Sequence, residues 1–307
     1  MAIKGRAYDP ETDLPHLLAL TQFSSQLTPE ATYLHMGDIL WRFFQSSLFD
    51  PLKYVRLWEE SDGDVVAFAW LEAPDGVVWC VHPQYRGQGM LEEAIVAWAA
   101  DLVEPEVPTA EVRLWTTACA TDAATLQVLP GLGFLSDQRL ARKMEFSLLH
   151  ALADPPQPAG ITLRAVESSV EWAQRVDLHR RVWHPSRVTL AAYKRLRAAP
   201  GYRPDLDLVA VTSEGEFAAY CLCWLDPVTH VGLFEPVGTH PAYRRQGVGT
   251  AVVREGLRRL QALGATTAWV TAVESNLAAR KLYERVGFKT ITYEYLYKRF
   301  PPTPPHF

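Results

Sequence analysis

The chain has 307 residues, about twice the ~150 of a typical domain, which favours two domains. Its 48% hydrophobic and 21% charged residues suit globular cores; no apolar run approaches the ~18 residues that span a bilayer, and the charged start "MAIKGRAYDPETD" is unlike a signal peptide, so no membrane and a cytoplasmic location are expected. The net charge of −5 conceals a split, since residues 1–150 carry 10 Lys+Arg against 21 Asp+Glu and residues 151–307 carry 20 against 14. Neither half clusters its charge enough to argue for nucleic acid.

Taken in chain order, the sequence says the same thing twice. "GRA" (5–7), "FAWLEAPDGVVWCVHPQYRGQG" (68–89) and "GLGF" (131–134) return as "LRA" (163–165), "CLCWLDPVTHVGLFEPVGTHPAYRRQG" (221–247) and "RVGF" (285–288), at offsets of 154 to 158. A period that long indicates a duplicated domain and not a solenoid, whose repeats run about 20–50 residues. The proline-rich "ADPPQPAG" is a stiff connector, so the domains are set at 1–152 and 161–300, with a linker over 153–160. The tail "PPTPPHF" cannot continue a helix or an interior strand and is expected to be extended.

The second copy is the more legible. "DLVAVTS" (207–213) and "FAAYCLCWLD" (217–226) are β-rich runs around "EGE", a predicted hairpin, and "VGLFEPVGT" (231–239) is a third strand. A helix is predicted over 250–263, because Val253, Leu257 and Leu260 recur at i, i+4, i+7 and Gly264 suits the position past its end. "ATTAWVTAV" (265–273) is another strand; Asn276 then caps a helix carrying Ala279, Tyr283 and Val286 on one stripe, and "FKTITYEYLYKRF" closes as a strand. The expectation is a mixed α/β sheet, present twice.

Four cysteines make no disulfide framework, and Cys221 and Cys223 alternate on one face of a strand, as small core residues do. Metal ligands to accompany them cannot be placed, and no metal is expected. His240 suits a turn before Pro241, and Trp224 and Trp269 suit a core or pocket wall.

"RRQGVG" (244–249) sits between strand and helix. A helix N-terminus offers unpaired N–H groups and partial positive charge to a phosphate, glycines at 247 and 249 let the backbone come close, and Arg244 and Arg245 add charge. It is neither a P-loop nor a dinucleotide fingerprint. Followed by "NLAARKLYERVGF", however, it resembles the GNAT superfamily of N-acetyltransferases, closely over residues 205–298 and generally over 161–204. Two copies look like the tandem GNAT proteins. The resemblance implies α/β tandem GNAT domains, each a mixed, mostly antiparallel sheet flanked by helices, with acetyl-CoA as cosubstrate. Its diphosphate would lie on Arg244, Arg245, Gln246, Gly247, Val248, Gly249 and Thr250. Val237, Gly238 and Thr239 would run beside the pantetheine, where the family's strand splays from its neighbour, and Asn276 and Tyr283 would flank pantetheine and thiol.

Acyl transfer to an amine needs a base and an acid. Glu235, on the same strand face as Val237, can take the amine proton directly or through a water, and Tyr283 can give one to the thiolate; another side chain could also act as base. In the first copy the matching positions hold Val77, Asp122 and Leu129, with Leu91 at the place of Gly249, where its branched side chain is expected to obstruct phosphate. That copy is predicted to be degenerate and structural, its acidic residues serving either to attract a cationic acceptor or simply to keep the surface soluble. The expected function is acetyl transfer to a small-molecule or peptide amine by direct attack in a ternary complex, in the C-terminal domain. The alternatives are a non-catalytic acyl-CoA-binding sensor or scaffold, and an acyltransferase for a longer acyl group. Residues 167–204, rich in Trp, His and Arg, are expected to shape the acceptor pocket.

Overall fold

The computed structural model describes residues 3–29, 34–72, 74–103, 114–152 and 157–300; part of the expected linker (153–156) and the tail 301–307 lie outside them. The chain forms two compact units, one of Met1–Leu34, Asp50–Ala141 and Thr292–Phe307, the other of His35–Phe49 and Arg142–Ile291. Among the described residues no helix is long and apolar enough to cross a membrane, and no group of three or more His, Cys, Asp or Glu residues is arranged to hold a metal ion.

In the first unit, β1 (Lys4–Ala7), β2 (Val55–Glu59), β3 (Val65–Glu72) and β4 (Gly76–Val81) form an antiparallel run. β5 (Leu114–Cys119) joins β4 in parallel at Gly76↔Trp115, after α4 (Met90–Leu102) has carried the chain across. A parallel pair requires such a crossover. On its other edge β5 pairs with β12 (Lys289–Arg299) from Glu294↔Cys119 to Arg299↔Leu114. The expected closing strand is therefore present, but from Thr292 onward it belongs to the first unit. Helix α5 (Ala123–Val128) is short, ending before Pro130, and Asp122 caps it by accepting the Thr125 N–H at 2.9 Å.

The second unit orders its strands β7 (Ile161–Ala165), β8 (Asp207–Thr212), β9 (Phe217–Leu225), β10 (Val231–Thr239) and β11 (Thr267–Val273). The first four are antiparallel, and β10 and β11 are parallel around α8 (Val248–Ala262). Val253, Leu257 and Leu260 of α8 are buried, as their spacing predicts, with Cys221, Cys223, Phe234 and Phe288. The helix begins two residues before the predicted Thr250, since Gly247 turns the chain straight into it. Helix α9 (Leu277–Val286) is capped by Asn276, whose Oδ1 accepts the Ala279 N–H at 3.1 Å.

One helix of this unit comes from the first half of the sequence. α2 (Met36–Phe44) packs on β10, and Gly37 lies so close to Trp224 that an added Cβ would be 2.5 Å from its ring. His35 anchors the helix: its Nδ1 accepts the Gly37 N–H at 2.9 Å, so its Nε2–H donates to the Val231 carbonyl at 3.0 Å. Burial pushes this imidazole below its ordinary pKa and keeps it neutral, as that pair of bonds requires.

The helices α6 (Glu171–Val182) and α7 (Leu190–Arg197) are tied to β8 by one carboxylate. Asp207, fully buried, accepts from Arg175 Nε at 3.0 Å, Tyr193 Oη at 2.5 Å and Tyr202 Oη at 2.8 Å. Arg175 also lies over the Tyr220 ring, 3.7 Å from its centre. Removing one member of such a set strands the others without water. Asp207→Ala should lower the urea unfolding free energy by about 3–5 kcal/mol; an unchanged midpoint would show that the cluster contributes nothing.

Candidate functional site

β10 and β11 pair at Val231↔Thr267, Gly232↔Ala268 and Leu233↔Trp269, and the pairing stops there although both strands continue, to Thr239 and Val273. Along its other edge β10 stays laddered to β9 as far as Thr239↔Ala219, interrupted by a bulge between Phe234 and Val237. Pro236, with no N–H to give a ladder, sits in that bulge, and the Glu235–Pro236 peptide is cis. His240 N–H donates to the Ala218 carbonyl at 2.9 Å. By the alternation of an antiparallel ladder, Gly238 then faces β9, and Val237 and Thr239 turn their peptide groups to the open edge. Arg244 Nε lies 3.4 Å from the Thr239 carbonyl.

The open edge is held from behind. A Cβ on Gly238 would lie 2.5 Å from the Tyr220 ring, so the missing side chain lets that ring pack under the strand. The Tyr220 hydroxyl accepts from Trp183 Nε1 at 2.8 Å and lies 2.7 Å from His179 Nδ1. Burial, and then the Arg175 charge, push His179 down to about 3, so the ring is neutral where it meets the tyrosine hydroxyl.

The loop after β10 is a chain of local bonds. His240 Nδ1 accepts the Ala242 N–H at 3.2 Å, Gln246 Nε2 donates to the Ala242 carbonyl at 3.0 Å, and Tyr243 Oη donates to Glu216 at 2.5 Å. The sequence expectation for His240 as a turn residue is met. Arg245 (φ +63°) and Gly247 (φ +82°) are left-handed. A non-glycine residue there costs on the order of 1 kcal/mol. Residues of alternating hand turn successive N–H groups to one side, an anion-binding nest, and the N-terminus of α8 adds its own. Arg244, Arg245, Gln246 and Gly247 are exposed, Thr250 is half-buried, and Val248 and Gly249 are buried. Gly249 also has a packing constraint. A Cβ there would lie 2.7 Å from Thr239 Oγ1, so the glycine seats the first turn of α8 on the end of β10.

Glu235 is partly buried, and burial, with the Asp38 charge second, pushes its carboxyl up to about 8. Tyr283 is 6% exposed and edge-on to Phe288; burial, followed by the charge of Glu235, raises its pKa well above that of a free phenol. Asn276, exposed, and Tyr283, buried two turns further in, lie at either end of α9. Asp38, on α2, was invisible in the sequence because 197 positions separate it from Glu235. Trp224 is buried and donates to the Glu235 carbonyl at 2.8 Å; Trp269 donates to Glu145 at 3.1 Å. Within residues 167–204, Asp177, Arg180, Arg181 and His184 line an open cleft of about 640 Å³ with His240 and Pro241.

The first unit repeats much of the loop's construction. β4 and β5 pair at Gly76↔Trp115 and no further. His82 Nδ1 accepts the Gln84 N–H at 3.2 Å, Gln88 Nε2 donates to the Gln84 carbonyl at 2.5 Å, Tyr85 bonds Glu60, and Gly87 (φ +78°) and Gly89 (φ +90°) match Arg245 and Gly247. Two features differ. Arg86 is bound to Asp122, and the Gly87 N–H donates to Glu92 Oε1 at 2.7 Å. Leu91, expected to obstruct the loop, is 2% exposed and packs inward in the core, since a residue in the second position of a helix facing the sheet points to it.

The Acetyltransferase (GNAT) family model matches residues 172–288. The mycothiol acetyltransferase of Thermobispora bispora is 29% identical over 251 residues, 78% of this chain and 81% of that protein. Among solved structures, a tandem GNAT protein from the clavulanic acid biosynthesis pathway has a TM-score of 0.71 at 16% identity, with 98% of this chain and 100% of that one covered. A GCN5-related N-acetyltransferase from Sphaerobacter thermophilus has a TM-score of 0.66 at 20% identity, with 98% and 97% covered. At those identities the two structures establish the fold, a mixed sheet flanked by helices. Residues 172–288 are therefore a GNAT-family domain, in a chain similar to mycothiol acetyltransferases in sequence and to tandem GNAT proteins in fold.

Proposed function

We propose that the second unit moves acetyl from acetyl-CoA to the primary amine of a small-molecule or peptide acceptor, by direct attack with both substrates bound. The observation that carries this reading is the parting of β10 from β11 after Leu233, with the Arg244–Gly249 turn at the end of the opened strand. An extended chain of amides can add to the free edge through Val237 and Thr239, with Gly238 between them, as a strand adds to a sheet. The N–H groups of Arg245, Gln246, Gly247, Val248, Gly249 and Thr250 and the charge of Arg244 suit the diphosphate, and Asn276 keeps its amide NH2 for the ligand. The sequence domains 1–152 and 161–300, joined by 153–160, are the duplicated units in this reading.

In the reaction the amine nitrogen bonds to the acyl carbon as the C–S bond breaks. Glu235 accepts the amine proton, directly or through a water, and the raised pKa of its carboxyl makes it a stronger base than an ordinary glutamate. Tyr283, protonated at neutral pH, donates to the departing thiolate. No covalent enzyme intermediate is called for: Cys223 is buried, its pKa pushed well above the usual thiol range by burial first, and it stays a thiol. Asp38 beside Glu235 places a second acid where a cationic amine would arrive. The relatives are named for mycothiol, which makes the amine substrate of mycothiol acetyltransferases the first acceptor to try in a mycothiol synthase-like architecture.

The test is thiol release from acetyl-CoA across an amine library that includes this substrate; release with no amine would sink the reading. Glu235→Gln should lower kcat/KM by about 10²–10⁴-fold. A base works ionised, so the wild-type rate should rise with pH through about 8, and the Gln variant should lose that limb. Tyr283→Phe should lower kcat by about 10²-fold with the KM for acetyl-CoA little changed; an equal loss in both would make it a packing residue. Stability carries the opposite sign. A carboxyl raised from 4.5 to about 8 on folding binds its proton more tightly in the native state, so stability falls as pH climbs between those values. Urea midpoints for the Gln variant should not show that fall.

A further inference from the structure

The first unit keeps the frame of an acyl-CoA site, and its anion seat is taken by a side chain of its own. β4 leaves β5 after Gly76↔Trp115 and stays paired with β3 on its other edge as far as Ala67↔Val81, so it presents one free edge. The loop that follows has the two left-handed residues, Gly87 and Gly89, of an anion-binding turn and leads into the 13-residue helix α4. What stands in that turn is Glu92. Its Oε1 accepts the Gly87 N–H at 2.7 Å, the group that corresponds to Arg245 N–H in the second unit, where Thr250 occupies the position of Glu92.

Glu92 is 1% exposed, and its Oε2 has no hydrogen-bond partner. A buried carboxylate oxygen without a donor is destabilising, so burial of this group is not explained by what it adds to the fold. It is explained if the carboxylate stands where an anion from outside would bind. The other acid at this place, Asp122, is already matched by Arg86 and by the Thr125 N–H. We propose that the first unit holds a latent site for a CoA thioester, with its diphosphate seat closed by Glu92 alone. The site binds without reacting, since Val77 and Leu129, both fully buried, stand where the second unit has Glu235 and Tyr283.

The proposal rests on the second unit's loop being a diphosphate seat, and the test separates the two. Acetyl-CoA bound per chain is counted by equilibrium dialysis for the wild type, Glu92→Thr and Glu92→Ala, with hydrogen exchange followed over 85–93. Each variant should bind one equivalent more than the wild type, the gain should come with protection of 85–93 absent in the wild type, and acetyl transfer should be unchanged. The alanine variant serves if threonine disturbs the first turn of α4. A wild type that already protects 85–93, variants that gain no equivalent, or a gain without protection there would each overturn the proposal. A wild type that binds none, beside variants that bind one, would refute the reading of the second unit and leave this one standing.

Discussion

A β-strand edge is a row of donors and acceptors that a folded chain must satisfy or leave to water, and β10 leaves its own open in the middle of a sheet. After Leu233 the ladder to β11 ends while the ladder to β9 continues, with a bulge at Glu235 and Pro236 marking the change. The free edge places peptide groups, the Glu235 carboxyl and the start of the Arg244–Gly249 turn along one strand. In the proposed function, binding and proton transfer share one element because that element gave up part of its pairing.

Such an edge works only if the strand does not drift back into register, and the structure holds it from the other side. Tyr220 packs against the space that Gly238 leaves, its hydroxyl fixed by Trp183 and His179, its ring covered by Arg175. Arg175 is in turn held by Asp207, which gathers Tyr193 and Tyr202. Buried polar groups are tolerable when every member is matched, and here the matching runs from the core of the unit to the back of the open strand. Gly249 does the same for the loop, seating α8 directly on Thr239.

Much of this was legible in residues alone. The spacing of Val253, Leu257 and Leu260, the cap at Asn276, the stop at Gly287 and the hairpin at Glu214-Gly215-Glu216 are local signals, and local structure followed them. The repeated phrase around Arg86 and Arg244 correctly announced repeated geometry, down to the donors used by His82 and His240. What stayed hidden depended on partners distant in sequence. Strand propensity in residues 289–299 says nothing of which neighbour the strand takes, and from Thr292 it serves the first unit. Nothing near residue 38 indicates that an aspartate there lies by Glu235. Leu91 was misjudged because the glycine it replaces was assumed to face the ligand, whereas that position faces the core.

If the proposed reading of the two turns holds, little separates an open anion seat from a closed one. Their turns share backbone hand and hydrogen bonds, so the backbone cannot decide which accepts a phosphate. In the proposed reading the decision falls to the side chain in the first turn of the following helix. A helix N-terminus attracts any anion, internal or external, and an internal carboxylate carries no entropy of association to overcome. In that reading Glu92 on the amide of Gly87 closes the first unit's turn, while Thr250 leaves the second unit's turn, with Arg244 and Arg245 exposed, to a ligand.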